Sequence, residues 1–172
     1  MNQVSGTPLH PACLPLAELQ KDCHFETTRR SGPGGQHRNK VETAVVVTHR
    51  PTGVRAEASE RRSQGENRRV AYHRLRIQLA MRIRSKPSPD GKARWEPWRR
   101  GSRISINPAN EGFPCLLADL LDRLDLAEQD LTSVASQLDV TTSQLVKFLK
   151  LEPLAFAGLN EARRNAGQHP YK

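Results

Sequence analysis

The sequence predicts an α+β fold: a small mixed or antiparallel sheet with one long helix packed on it, then a C-terminal helical extension resembling a helix-turn-helix. Three observations carry this prediction. Runs rich in β-branched residues flank turn signals in the first third of the chain. Gln64 to Arg84 contains no proline and places Ala71, Leu75, Leu79 and Ile83 four residues apart. From Cys115 onward apolar residues recur at helical spacing. The chain divides accordingly into a sheet-and-helix unit with its lead-in (1–84), a basic Pro/Gly/Trp linker or arm (85–114) and a helical bundle (115–172).

The elements follow in order. "LPLAELQKD", Leu14 to Asp22, makes a short helix with Leu16 and Leu19 on one side, and "CHFETTRR" alternates as a strand does. "VETAVVVTHR" and "VRAEASE" form a hairpin around the Pro51 to Gly53 turn. On the long helix, Val70, Ile77 and Ala80 widen the apolar stripe, while the other face carries Arg68, Arg69, Arg74, Arg76, Arg82 and Arg84. Residues 85–114 hold five prolines, three glycines and both tryptophans, too broken for a helix, with "SRISIN" as a short strand. Trp95 and Trp98 stand among Arg94, Arg99 and Arg100, and either stack on bases or pin the arm to the domain. In "LTSVASQLDVTTSQLVKFLK", Leu131, Val134, Ala135, Leu138, Val140, Leu145 and Phe148 are the apolar set of two helices joined by a tight turn, the second capped by Thr141 or Thr142.

At 172 residues the chain is long enough for one domain with a core, or for a smaller domain plus a helical appendage. The mean hydropathy of −0.67 and net charge of +9 indicate a soluble protein with a strong positive field. That charge is uneven. Residues 1–110 carry 21 Lys+Arg against 9 Asp+Glu, or +12, whereas residues 111–172 carry 6 against 9, or −3. A basic front facing a polyanion binds through counterion release; the alternative is a solvated surface. Were the last helix pair to read DNA, Thr142, Ser143, Gln144 and Lys147 would have to reach the bases from an acidic segment. A packing or docking bundle is the other reading. Cys13, Cys23 and Cys115 show no metal-ligand spacing, and their odd count fits a reducing cytoplasm. No signal peptide or membrane-spanning run is legible, so a cytoplasmic location is expected, with no membrane partner and no metal.

The most unusual stretch is "RRSGPGGQHRNK", Arg29 to Lys40. Gly34 and Gly35 permit backbone conformations and close approaches that side chains forbid, and Pro33 stiffens the approach. The spacing of Gly32, Gly34 and Gly35 fits neither a Walker loop nor a dinucleotide fingerprint, so no nucleotide cofactor is expected. Ser31 has no evident base, and His37 suits RNA contact or backbone capping as well as it suits a base. Catalysis here has to rest on backbone donors, the Gln36 amide and water, or on groups lent by a partner.

"RRSGPGGQHRNKVETAVVVTHRPTG" followed by "RRSQGENRR" resembles the catalytic domain of class I peptide chain release factors and their ribosome-rescue relatives. The resemblance joins a G-G-Q tripeptide, H-x-N-K, a T-x-x-P-T-G turn and R-S-Q-x-x-N-R, and runs from about Leu14 to Arg84. It implies a GGQ domain whose Gly34-Gly35-Gln36 tip enters the peptidyl transferase centre and promotes hydrolysis of the ester between nascent peptide and tRNA. The Gln36 backbone N–H would stabilise the developing oxyanion, and its side chain would position water. Arg29, Arg30, His37, Arg38 and Lys40 are then suited to ribosomal RNA, and Asn39 to shaping the loop. Arg61, Arg62, Ser63, Gln64, Asn67 and Arg68 contact RNA or brace the domain. The implied partners are large-subunit rRNA, peptidyl-tRNA and a glutamine methyltransferase acting on Gln36; the oligomeric state is left open.

Two departures shape the expected subtype. About 30 residues precede the loop, where release factors carry codon-reading and helical regions, so codon-independent action on stalled ribosomes or free large subunits is expected. The chain ends in an acidic helical bundle where small rescue hydrolases carry a basic tail. The layout, including "SRISINP" and "SQLVKFLKLEP", is similar to that of short release factor-like proteins of bacteria. Two other functions stay open: a non-catalytic large-subunit-binding regulator, and a nucleic-acid-binding regulator using the helix-turn-helix.

Overall fold

The computed structural model describes residues 9–28, 44–87 and 89–172. A 3₁₀ turn, Pro11–Cys13, leads into α1 (Leu16–Lys21), β1 (Cys23–Thr28), β2 (Ala44–His49), β3 (Arg55–Ala58) and α2 (Gln64–Arg82). A 3₁₀ stretch, Pro89–Trp98, then precedes β4 (Arg99–Arg100), β5 (Arg103–Ile104) and four helices: α3 (Phe113–Leu126), α4 (Leu131–Gln137), α5 (Thr142–Leu149) and α6 (Pro153–Asn165). The expected α+β class, with an antiparallel sheet, a long helix and a helical extension, is the one observed.

The first three strands form an antiparallel meander with β2 in the centre. Alternation places Phe25, Val47 and Ala56 on one rung and Thr27, Val45 and Ala58 on another, all facing one side. Val45 and Val47 are fully buried there beneath Ala71, Leu75 and Leu79 of α2. The β2–β3 turn closes as its residues demand: Gly53 takes φ +68, its N–H donates to the His49 carbonyl at 2.8 Å, and the Thr52 hydroxyl meets His49 Nδ1 at 2.7 Å. At the start of α2, Ser63 Oγ accepts from the Glu66 N–H, as Ser-x-x-Glu suggests.

The opposite side of α2 packs against α3. Phe113, Leu116, Leu117, Leu120 and Leu124 are buried around nearly the whole circumference of α3, so this helix is central and not a surface element. One hydrophobic cluster consequently runs from the sheet through α2 and α3 to α4, α5 and α6. The two readings of Trp95 are resolved in favour of packing. Its ring is 1% exposed and stands 5.1 Å from the Phe148 ring of α5, and its indole N–H donates to Asp119 Oδ2 at 2.8 Å. "SRISIN" supplies β5, which pairs with a two-residue β4 across a turn where Gly101 takes φ +57.

The cysteines require a correction. Two of the three, counted as thiols from the sequence, are joined: Cys13 and Cys115 form a disulfide with an S–S distance of 2.11 Å, leaving Cys23 free. Tertiary packing of the 3₁₀ turn on the first turn of α3 brings together residues separated by 102 positions, which spacing alone cannot reveal.

Candidate functional site

The strands on either side of the glycine-rich segment meet at a paired rung, Thr28 opposite Ala44, so the segment's two ends leave the sheet side by side. Gly34, Gly35 and Gln36, with Arg29, Arg30, His37, Arg38, Asn39 and Lys40, lie outside the described residues. The described structure therefore supplies the sheet-and-helix platform that flanks this segment in sequence.

The second motif is within that platform. Asn67, fully buried, uses its carboxamide to bracket one residue: the Arg61 N–H donates to its Oδ1 at 2.9 Å and its Nδ2 donates to the Arg61 carbonyl at 3.0 Å. This shapes the approach to α2 and makes Asn67 a brace, while Arg61, Arg62, Ser63, Gln64 and Arg68 are exposed. Arg68 lies with its guanidinium carbon 4.8 Å from the Phe25 ring centroid on β1 and 5.9 Å from that of Tyr72. These contacts connect the motif to β1 and to the next turn of α2. Arg74 pairs with Glu60 at 2.6 Å and donates to the Glu57 carbonyl, holding the β3–α2 connection from the other side.

Several placed polar groups are absent from the sequence-derived candidates. Arg76 reaches the Ala12 carbonyl with Nε and the Glu111 carbonyl with Nη1, each at 2.9 Å, and desolvation lowers its pKa. His10 is buried, its Nδ1 accepts from the Ala12 N–H and its Nε2 donates to the Ile83 carbonyl, a pattern that fixes the neutral tautomer. Burial lowers its pKa, as it does for His49 and His73. The Arg76, His73 and His10 Nε2 contacts have no motif signal, since each is to a backbone carbonyl distant in sequence. A cleft of about 300 Å³ lined by Leu16, Val70, Tyr72, His73 and Arg76 is mostly apolar and contains none of the predicted site residues. Among the described residues no acidic, histidine and cysteine cluster could hold a metal, and no helix is long and apolar enough to cross a membrane.

The helix-turn-helix pattern is present as α4 and α5, with all seven predicted apolar residues buried and Thr141 capping α5 through the Gln144 N–H. Of the polar residues proposed to reach bases, Gln144 accepts from the Ile104 N–H at 3.1 Å and is engaged with β5. Arg99 donates to the Leu138 and Asp139 carbonyls at the end of α4. Both contacts fasten the pair to the β4–β5 ribbon.

A three-stranded antiparallel sheet under one long helix, with the glycine-glycine-glutamine sequence falling between paired strands β1 and β2 and an asparagine-braced basic motif at the helix start, defines an α+β domain. A protein-family model, the RF-1 domain, matches residues 17–107, just over half of the chain, and the protein belongs to this family. The chain is similar to the mitochondrial peptide chain release factor 1-like protein of Rattus norvegicus, 39% identical over 85 residues covering 49% of this chain and 23% of the relative. It is likewise similar to peptide chain release factor 1 of Xylella fastidiosa, 50% identical over 64 residues (37% of this chain, 18% of the relative). The match to peptide chain release factor 1 of Nitrosomonas eutropha is 40% identical over 95 residues, covering 54% of this chain and 24% of the relative. The similarity thus spans about a quarter or less of the length of these relatives.

Proposed function

We propose that the protein is a release factor-like peptidyl-tRNA hydrolase acting on the ribosome, independently of a stop codon. The observation that carries this reading is the Gly34-Gly35-Gln36 sequence between β1 and β2 of an RF-1 domain whose second motif carries the Asn67 brace. The ester carbon of peptidyl-tRNA is attacked by water. Negative charge develops on the carbonyl oxygen, and the Gln36 N–H donates to it. The Gln36 side chain positions the water and excludes larger nucleophiles; Gly34 and Gly35 let the backbone approach without Cβ atoms. Arg29, Arg30, His37, Arg38, Lys40, Arg61, Arg62, Gln64 and Arg68 bind rRNA, and Asn39 and Ser63 shape the local backbone. Gln36 is a candidate substrate for a glutamine methyltransferase, and the site of action is cytoplasmic.

The test is release of labelled peptide from ribosome complexes carrying truncated mRNA, a stop codon or a sense codon in the A site, and from split large subunits. Release irrespective of the codon is expected. Gln36→Ala should lower it by at least about 10²-fold, the scale of losing one transition-state donor or a positioned water, with ribosome binding retained. Equal release by the variant, or release confined to stop codons, would refute the reading.

A further inference from the structure

The Cys13–Cys115 bond joins the segment that leads into β1 to the first turn of α3, across a separation of 102 residues. Neither cysteine is fully buried. The two sulfurs are not equivalent. Arg94 Nη1 stands 3.9 Å from Cys13 Sγ, a cation placed to stabilise a departing thiolate. The third cysteine is different in kind: burial and then Asp22 push the Cys23 thiol up to about 11, which leaves it protonated and unreactive at neutral pH.

Non-covalent contacts hold the same region independently of the bond. Arg76 ties the Ala12 carbonyl to the Glu111 carbonyl, and His10 ties the turn to the end of α2. Asp122 of α3 accepts from the Ser85 N–H and hydroxyl at 3.0 and 2.8 Å. Reduction therefore removes a cross-link from a surface that stays assembled.

We propose that Cys13 and Cys115 form a reversible thiol–disulfide switch, operated by a dithiol reductant, that locks or unlocks the lead-in to β1 from the helical extension. The reductant's first thiolate attacks Cys115 Sγ, the S–S bond breaks, and Cys13 leaves as a thiolate beside Arg94. Its second thiolate then attacks its own sulfur of the mixed disulfide, and Cys115 leaves and takes up a proton. The protein gains two electrons, the dithiol is oxidised to a disulfide, and the products of attack and protonation balance. In the oxidised form the strand that precedes the glycine-rich segment is covalently fixed to α3 through its lead-in; in the reduced form only non-covalent contacts hold the lead-in, among them those of Arg76 and His10 and the burial of Ala12 and Leu19.

The experiment uses the full chain, incubated natively with oxidised or reduced dithiothreitol, then acid-quenched, alkylated in denaturant and weighed by mass spectrometry. One alkyl group is expected after oxidation, at Cys23, and three after reduction. The thermal midpoint of the reduced form should fall by on the order of 10 °C, as a long-range cross-link of typical strength in a chain of this size requires. The Cys13→Ser/Cys115→Ser double variant should fold and show no shift with reductant. Three alkyl groups after oxidation, one after native reduction, or an equal reductant-induced shift in the double variant would each overturn the proposal.

Discussion

Replacing Asp119 by alanine should cost about 4 kcal/mol of folding stability. Its carboxylate is buried in α3, where it accepts from Arg123 Nε at 2.8 Å, from Arg123 Nη2 at 3.3 Å and from the Trp95 indole at 2.8 Å. Breaking a buried pair by removing one member costs about 3–5 kcal/mol, because the surviving charge is left uncompensated. Arg123 retains 11% side-chain exposure and a 3.2 Å contact to Gln137 Oε1, which places its share near the low end, about 3 kcal/mol. The stranded Trp95 N–H adds about 1 kcal/mol. At roughly 2–4 °C per kcal/mol for a chain of this size, the midpoint should drop by about 8–16 °C. Circular dichroism melts and guanidinium titrations measure the loss, and the buried indole should shift its fluorescence to longer wavelength as the 89–98 stretch loosens. A destabilisation below about 1 kcal/mol would show that the Asp119 network is not what pins this stretch.

Two further predictions test the platform. Asn67→Leu removes both hydrogen bonds to the Arg61 backbone and should destabilise by about 2–3 kcal/mol, read in the same melts, while Gln64→Ala on the adjacent exposed position should stay within about 0.5 kcal/mol. Acid should weaken the fold through His10, His49 and His73, whose folded pKa values all lie below the ordinary imidazole value of 6.5, with burial the largest cause in each. The unfolded chain then binds more protons than the native one, so this stability is intact above pH 6.5 and is lost as pH falls below it, until the folded imidazoles themselves protonate. Melts from pH 8 to pH 5 should show the decline, and a midpoint independent of pH over that range would contradict it.

The elements were legible because local signals agreed with the tertiary solution. The β-branched run of β2, the four-residue spacing in α2 and the capping residues Ser63 and Thr141 each point to the conformation that packing also favours. Trp95 was legible only as a choice, since an indole among arginines looks the same in sequence whether its N–H meets a base or a buried carboxylate 24 residues away. The platform's second motif was visible as a motif, but not the division of labour within it: burial separates Asn67 from exposed neighbours such as Gln64, and no local pattern encodes that depth. The disulfide and the Arg76 contacts were illegible for the same reason, each joining residues dozens of positions apart through packing.

The charge asymmetry also changes meaning once the side chains are placed. Of the nine acidic residues in 111–172, Asp119 and Asp122 serve buried donors, Asp130 and Glu152 cap α4 and α6, and Asp139 meets Lys92 at 2.6 Å and Arg99 at 3.1 Å. The pKa of Asp139 is lowered by those two cations, Lys92 first, both contributed by the basic front. Three of the nine, Asp119, Asp122 and Asp139, therefore fasten the helical extension to the preceding segment, and Asp130 and Glu152 serve their own helices. On the front, Arg74 and Arg76 are similarly engaged in structure, whereas Arg61, Arg62, Arg69, Arg100 and Arg103 are exposed. A polyanion approaching the basic front thus meets exposed arginines. The salt sensitivity of the ribosome binding that the proposed function entails should follow these side chains more closely than the net charge of the chain.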